Sequence, residues 1–313
     1  MIHGLVAVDK ERGISSHDAV ARVRRLLGVR KAGHFGTLDP SATGLLLIAL
    51  GQATRFFDFF VKQDKLYSGL IRFGVATSTY DSEGEALGPP RPVDLAAVDM
   101  DALLAGFRGR QLQVPPAFSA KKFKGKPLYT YARRRQPVAI EPVEVFIHEL
   151  SARAVAADTL EFRALTSSGT YIRSLAHDLG RKLGCGAFLL ELKRERIGRF
   201  ALQGAVTLEQ LAALAAAGRE LEAITPIERL LEEYPKMIVN QAGRRCISNG
   251  MALKASDVLK IFPAASTDFF RIFDDEGKLL AIAEKEPHNM SFKPYLVIPS
   301  EHETVDARTS TRR

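Results

Sequence analysis

Tryptophan is absent from the 313 residues, and cysteine occurs only twice, as Cys185 and Cys246. Two cysteines cannot build a disulfide framework or a cysteine-rich zinc site, and they fit a reducing cytoplasm. No run of about 18 apolar residues is present, so no transmembrane helix is expected. The opening MIHGLVAVDKERG mixes acid and base within a dozen residues and is not expected to act as a signal peptide. There is no G-x-x-x-x-G-K-[ST] phosphate loop and no G-x-G-x-x-G. H-E-x-x-H, C-x-x-C and G-x-S-x-G are missing as well, and the seven histidines are scattered. Neither a metal nor an organic cofactor is therefore expected. An enzyme built this way works with side chains alone, by acid–base or covalent carboxylate chemistry.

Apolar material is plentiful. Hydrophobic residues make up 46% and charged residues 26%, a globular mix that excludes whole-chain disorder. The 44 Lys and Arg exceed the 36 Asp and Glu by 8, so clustering rather than total charge decides what the excess means. Two clusters stand out. Arg22, Arg24, Arg25, Arg30 and Lys31 lie in a stretch with no acid between residues 19 and 31. The run KKFKGKPLYTYARRR, residues 121–135, carries seven positive charges, no acid, and the aromatics Phe123, Tyr129 and Tyr131. Cations meet phosphate and aromatics stack on unpaired bases, although a charge run is more often a solvated face.

Hydrophobic patterning predicts a mixed α/β chain. Strands are expected at 4–8, 45–50, 66–73, 143–153, 159–166 and 186–194. Helices are expected from Ser15 or Ser16 to Leu27 and at about 52–60, 95–107, 171–183 and 208–217. Residues 74–92 and 111–142 read as loops rich in Gly, Pro and polar residues. A boundary is expected at about 225–235. Beyond it lies a small β-rich unit, with strands at 269–273, 279–283 and 295–298 and a hairpin turn at Asp275-Glu276-Gly277. A polar tail, 301–313, follows.

The segment GHFGTLDPSATG, residues 33–44, sets an Asp in a Gly- and Pro-bounded loop between a basic helix and a buried strand. Pro40 drives Asp39 toward an extended backbone, which fixes where its carboxylate points. A capping Asp in a turn is the plain reading of an Asp-Pro dipeptide. His34, Thr37 and Thr43, crowded into the same loop, favour a functional one.

Residues 34–55, HFGTLDPSATGLLLIALGQATR, resemble the signature of the TruB family, the bacterial tRNA pseudouridine synthases. That signature runs G-H-x-G-T-L-D-P-x-A-T-G-x-L and ends in G-x-A-T. Lys65-x-Tyr67 resembles the family's K-x-Y. VPPAFSAKK at 114–122, followed by Gly125-Lys126 and Tyr129-x-x-Ala132-Arg133, resembles its P-P-x-[YF]-S-A segment and continuation. Residues 167–187, SSGTYIRSLAHDLGRKLGCGA, resemble its C-S-x-G-T-Y-I-R-x-L block, and Leu192-x-Arg194 fits the L-R-R that follows. The last 65 or so residues resemble, more loosely, the RNA-binding PUA domain. Departures are few: K-E-R-G-I-S-S at 10–16 lacks the family's early Pro, Phe35 replaces a smaller residue, and no Gly follows Ala132-Arg133.

The resemblance implies a pseudouridine-synthase fold with a mixed, largely antiparallel sheet and an RNA-binding cleft over residues 1–232. It also implies an RNA-clamping insertion at about 111–142 and a PUA-like domain at 233–300. By it, the chain isomerises the uridine at position 55 of the tRNA T-loop to pseudouridine. It would do so without a cofactor, as a cytoplasmic monomer that contacts the T-arm and no membrane. Asp39 is then the catalytic carboxylate, Arg173 its cationic partner, and Tyr67 the aromatic beneath the flipped uracil. His34 takes the flipped base's place in the RNA stack, while Tyr171 and Leu192 line the pocket. Lys65, Lys122 and Arg133 are the expected substrate-binding cations. A non-catalytic tRNA-binding or tRNA-folding protein is the alternative, and a guide-RNA-dependent pseudouridine synthase is a third. A pure binder has no need of an enclosed Asp39–Arg173 pair.

Overall fold

The computed structural model describes residues 2–119, 121–134, 136, 138–263, 267–287 and 291–299. The expected tail at 301–313, Arg135 of the basic run and Pro137 of the insertion lie outside the described residues.

Strand β1 (Gly4–Lys10) leads into helix α1 (Ser16–Leu26). Ser15 caps that helix by a reciprocal pair: its hydroxyl accepts from the Asp18 N–H at 3.1 Å, and Asp18 accepts from the Ser15 N–H at 3.0 Å. Ala19, Val23 and Leu27 form its buried stripe. Short β2 (Ala32–His34) and long β3 (Thr43–Leu50) flank the Asp39 loop. Every residue from Leu45 to Leu50 is buried, because β3 is covered on both faces. Leu45, Leu47 and Ala49 enter one core cluster while Leu46, Ile48 and Leu50 enter another, the period-two alternation of a central strand.

Helix α2 (Phe57–Val61) and strand β4 (Lys65–Phe73) follow, then α3 (Met100–Ala105) and the edge strand β5 (Gly109–Gln113). The basic run folds as a small hairpin, β6 (Lys122–Phe123) and β7 (Lys126–Pro127), and a short helix α4 (Leu128–Arg133). The long hairpin β8 (Val143–Ala156) and β9 (Thr159–Thr166) leads to α5 (Ile172–Lys182), β10 (Ala187–Ile197), β11 (Phe200–Ala201), α6 (Leu208–Ala216) and β12 (Ile224–Pro226).

These strands form a ten-stranded sheet of order β12-β1-β3-β10-β4-β9-β8-β5, with β2 on β3 and β11 on β10. Among the described residues β3 and β10 are its one parallel neighbour pair, so the expected mixed, largely antiparallel sheet is observed. The parallel seam is short, pairing Thr43 with Lys193 and Gly44 with Arg194.

Two expected helices take different forms. The one at 95–107 is split into a 3₁₀ turn, Leu95–Ala97, and α3. The cause is a pair of competing caps: Asp94 accepts from the Ala96 N–H and Asp99 from the Ala102 N–H, leaving Val98 extended between them. The one at 52–60 begins as a 3₁₀ helix, Gly51–Phe56, before α2.

Beyond residue 235, strands β13 (Lys236–Val239), β14 (Val258–Phe262), β15 (Phe269–Phe273), β16 (Leu279–Lys285) and β17 (Phe292–Val297) form a second sheet of order β14-β13-β15-β16-β17, with helix α7 (Gln241–Ser248) between β13 and β14 in the chain. Patterning alone does not pick out β13, α7 and β14. The two sheets share apolar packing. Phe273, Leu279, Ile282 and Leu296 join Phe56, Phe59, Leu230 and Leu231 in one cluster, and the Phe59 ring meets Tyr234, Phe269 and Tyr295 edge-on. Arg271 ties the connection down by donating to the carbonyls of Glu228, Glu232 and Tyr234. No helix among the described residues is long and apolar enough to cross a membrane.

Candidate active site

The loop between β2 and β3 is held from three directions. Its first anchor is apolar: Phe35 is buried and stacks on Phe60 with ring centroids 4.9 Å apart. The second comes from α1, where the buried Ser16 hydroxyl accepts from the Leu38 N–H at 2.8 Å and donates to the Leu38 carbonyl at 2.9 Å. The third is Arg194, fully buried on β10. Its Nε donates to the Leu45 carbonyl at 2.8 Å, Nη1 to Thr37 at 3.3 Å and Nη2 to Gly36 at 3.0 Å. One guanidinium thus grips both ends of the loop. The parallel seam makes this possible. Gly44 has φ +98°, and a Cβ there would lie 2.4 Å from the Arg194 carbonyl oxygen, so only glycine lets β3 and β10 approach so closely.

Asp39 projects from the loop thus fixed. The Arg173 Nε lies 2.9 Å from Oδ2, and Nη2 donates to Oδ1 at 3.2 Å, a two-pronged grip. Arg173 sits in the first turn of α5 and is 6% exposed, whereas the Asp39 side chain is 36% exposed. The cation is therefore structural and enclosed while the carboxylate still faces solvent. The rest of the guanidinium is satisfied too. Nη1 donates to the Thr79 carbonyl at 3.2 Å and lies 3.4 Å from Oδ2 of buried Asp81; Nη2 also donates to the Phe118 carbonyl at 2.9 Å. Asp39, Ser41, Asp81, Arg173, Leu189 and Leu192 line one cleft.

Burial pushes the Asp39 carboxyl above its ordinary value, because a carboxylate sunk among protein atoms loses water. Arg173 and Lys10 pull it back and Asp81 raises it further. Three buried cations, Lys10, Arg173 and Arg194, feel the Asp39 carboxylate. Lys10 donates to the carbonyls of Glu11, Ile14 and Pro40, and burial lowers its ammonium to about 8.

The structure brings Asp39, Arg173 and Leu192 together at the cleft. Tyr67 is buried on β4, in register with Arg194 and with its side chain beside that guanidinium. Tyr171 precedes α5. Its backbone is clamped by Gln113, which accepts from the Tyr171 N–H at 2.8 Å and donates to its carbonyl at 3.0 Å. Burial raises the Tyr171 hydroxyl, whose surroundings include Ser119, Arg173 and Asp39. His34 ends β2 edge-on to His17, ring centroids 6.0 Å apart; burial lowers it to about 4, so the imidazole is neutral. Lys65 is buried behind the loop and donates to the carbonyls of Val61 and Gln63, a setting unlike that of a substrate-facing lysine. Lys122 and Arg133 are exposed on the hairpin and α4, outside the Asp39 cleft.

Asp81 and Arg194 were not assigned a role from sequence. Asp81 sits in a loop with no periodicity. Arg194 carries only the weak L-x-R signal, and its function depends on a strand pairing across 149 residues.

Two family models match the chain: the N-terminal domain of TruB family pseudouridylate synthases over residues 24–172, and the C-terminal domain of tRNA pseudouridylate synthase B over residues 173–232. The tRNA pseudouridine synthase B of Solibacter usitatus is 44% identical over 281 residues, covering 90% of this chain and 95% of that one. That of Cupriavidus metallidurans is 41% identical over 285 residues, covering 90% of each. Among solved structures, an H/ACA ribonucleoprotein bound to a substrate RNA containing 2′-deoxyuridine superposes with a TM-score of 0.70 at 23% identity, over 95% of this chain and 86% of that one. An archaeal box H/ACA Nop10–Cbf5 complex does so with a TM-score of 0.70 at 24% identity, over 95% and 87%. At that identity these two speak for the fold alone. The curated relatives, the family models and the Asp39 loop agree, and the chain belongs to the TruB family of pseudouridylate synthases.

Proposed function

We propose that this protein converts the uridine at position 55 of the tRNA T-loop to pseudouridine, with Asp39 as the reacting carboxylate. The observation that carries the proposal is a solvent-facing carboxylate gripped at 2.9 and 3.2 Å by a buried arginine, inside a loop whose backbone is fixed from three sides. In the reaction the bond from C1′ to N1 of uracil breaks, the base turns, and C5 bonds to C1′. The proton on C5 leaves and N1 gains one, so no redox equivalent is consumed. The step needs a group that engages the separating fragments and then lets go, which a carboxylate does. Arg173 favours the ionised form of that group against the desolvation around it.

The base must first leave its stack. We assign Tyr67 and Leu192 to the walls that receive it, Tyr171 to the pocket, and His34 to the gap left in the RNA. A neutral imidazole suits that last role, because it stacks without adding charge. The exposed Lys122 and Arg133 serve phosphate contacts on the insertion. The Phe118 carbonyl bonded to Arg173, and Val114, whose carbonyl accepts from Ser174 at 2.7 Å, couple the root of that insertion to the site. The second sheet, residues 233–300, acts as a PUA-like RNA-binding domain.

A T-arm hairpin with tritium at C5 of its uridines tests this reading, since bonding C5 to the sugar expels that hydrogen. The wild-type protein releases tritium without added metal or nucleotide, and Asp39→Asn does not. Binding without release by the wild type would leave a tRNA-binding protein instead.

A further inference from the structure

Tyr80 and His177 touch neither carboxylate of the site, yet each adjoins it in the chain. Tyr80 lies between Thr79 and Asp81, two of the residues whose oxygens face Arg173. His177 lies one helical turn beyond Arg173 on α5, on the same face of the helix. Their rings are stacked, with centroids 3.9 Å apart and planes at 14°. Tyr80 has φ +65°, a left-handed backbone that is unfavourable for a bulky L-residue. We propose that the Tyr80–His177 stack is a positioning device that presses the 79–81 turn onto α5 and so fixes Arg173 against Asp39. The proposal rests on Asp39 being the reacting carboxylate.

On its Arg173 side the turn is tied through one guanidinium, which meets the Thr79 carbonyl and the Asp81 carboxylate. The bonds of residue 80 itself run elsewhere: the Tyr80 N–H donates to Thr77 at 3.2 Å, and the Tyr80 carbonyl accepts from the Leu189 N–H at 2.9 Å. Those bonds set the height of the turn above β10 but do not press it against the helix. The ring pair adds a tie to α5 that does not pass through Arg173, one helical turn further along the helix. The His177 Nδ1 is buried and has no hydrogen-bond partner among the described residues, so on that side the ring is held by stacking. Burial lowers the basicity of His177 and so favours the uncharged ring, which suits face-to-face packing on a phenol. The left-handed conformation at Tyr80 turns the Thr79 carbonyl and the Asp81 carboxylate toward one guanidinium. A strained residue at such a place is consistent with a positional role.

The test compares Tyr80→Gly, which keeps the left-handed turn but loses the stack, with Tyr80→Phe, which keeps both. His177→Ala removes the stack from the other side, and carries the test should Tyr80→Gly fail to fold. Tritium release from the T-arm hairpin gives kcat and KM separately. We expect kcat to fall roughly 10- to 100-fold in Tyr80→Gly and in His177→Ala, as for a small displacement of a reacting group. KM should stay unchanged, and Tyr80→Phe should match the wild type. The double variant should fall no further than either single one, since both remove one interaction. Crystal structures of the variants give a second, activity-independent readout, with Arg173 drawn away from its 2.9 Å position on Asp39. Unchanged kcat in a folded Tyr80→Gly, or Arg173 still seated on Asp39 in its crystal, would overturn the proposal. Silence from the wild type would sink the functional reading, and the crystal comparison would still decide the positioning.

Discussion

Arg173 is more deeply buried than the carboxylate it holds, and this asymmetry sets the electrostatics of the pair at residue scale. Desolvation raises the Asp39 carboxyl, and Arg173 is the strongest opposing influence. Replacing Arg173 by Met should therefore move the acid limb of the pH–rate profile upward, by about 1–3 pH units for the loss of an adjacent opposite charge. The activity at neutral pH falls with it, and an unchanged limb would contradict the assignment. His34 offers a stability test with the same logic. Its folded value of about 4 lies below the ordinary 6.5, so the unfolded chain binds a proton in that window that the folded chain does not. The folding free energy thus has a contribution that is full above pH 6.5 and is lost as the pH falls toward 4. His34→Gln should flatten the pH dependence of denaturant-induced unfolding between those limits. Asp39 and Arg173 were legible in the sequence because each sits in a long, specific motif. Asp81 was not, because one acid in a Gly-rich loop looks like any turn residue until a guanidinium 92 positions later is seen against it.

Among elements, α1 does more than cover the sheet. Through Ser16 it reaches the residue before Asp39 and satisfies both the N–H and the carbonyl of Leu38. Ser16→Ala leaves two buried backbone groups unmade, a loss of about 1–3 kcal/mol in an unfolding titration. It should also lower kcat, because the loop loses one of its three anchors; a variant that is destabilised but fully active would separate the two roles. The capped start of α1 and the apolar run of β3 were readable from local pattern alone. The split of the 95–107 helix was not, since the leucine stripe outweighed the two capping aspartates on paper. Strand β14 escaped for a different reason: four of its five residues are exposed, so it carries no buried-strand signal.

For the whole molecule, the two sheets are packed as one body. Phe59, Leu230 and Leu231 are buried partly against residues beyond 268. A chain ending at residue 232 should therefore melt at a lower temperature, with on the order of 1.5–3 kcal/mol lost for each large side chain newly exposed. A scanning calorimetry trace identical to that of the full chain would show that the second sheet is a passive appendage. A boundary near 225–235 is expected from the sequence, yet core residues from both sides of it pack together. The aromatic seam across it depends on side chains from one helix, one bend and two separate strands, which no local pattern connects.

The order of strands β3-β10-β4 has a bearing on synthesis. Strands β3 and β4 are close neighbours in the chain but never pair; the slot between them is filled by a strand that ends at Ile197. A nascent chain emerging from the ribosome therefore carries two half-sheets with unpaired inner edges until that strand arrives. The same strand delivers Arg194 to the Asp39 loop, and the helix just before it delivers Arg173. Closure of the sheet and assembly of the Asp39–Arg173 pair thus both wait for residues 172–197, and a piece of the chain that ends before them holds neither.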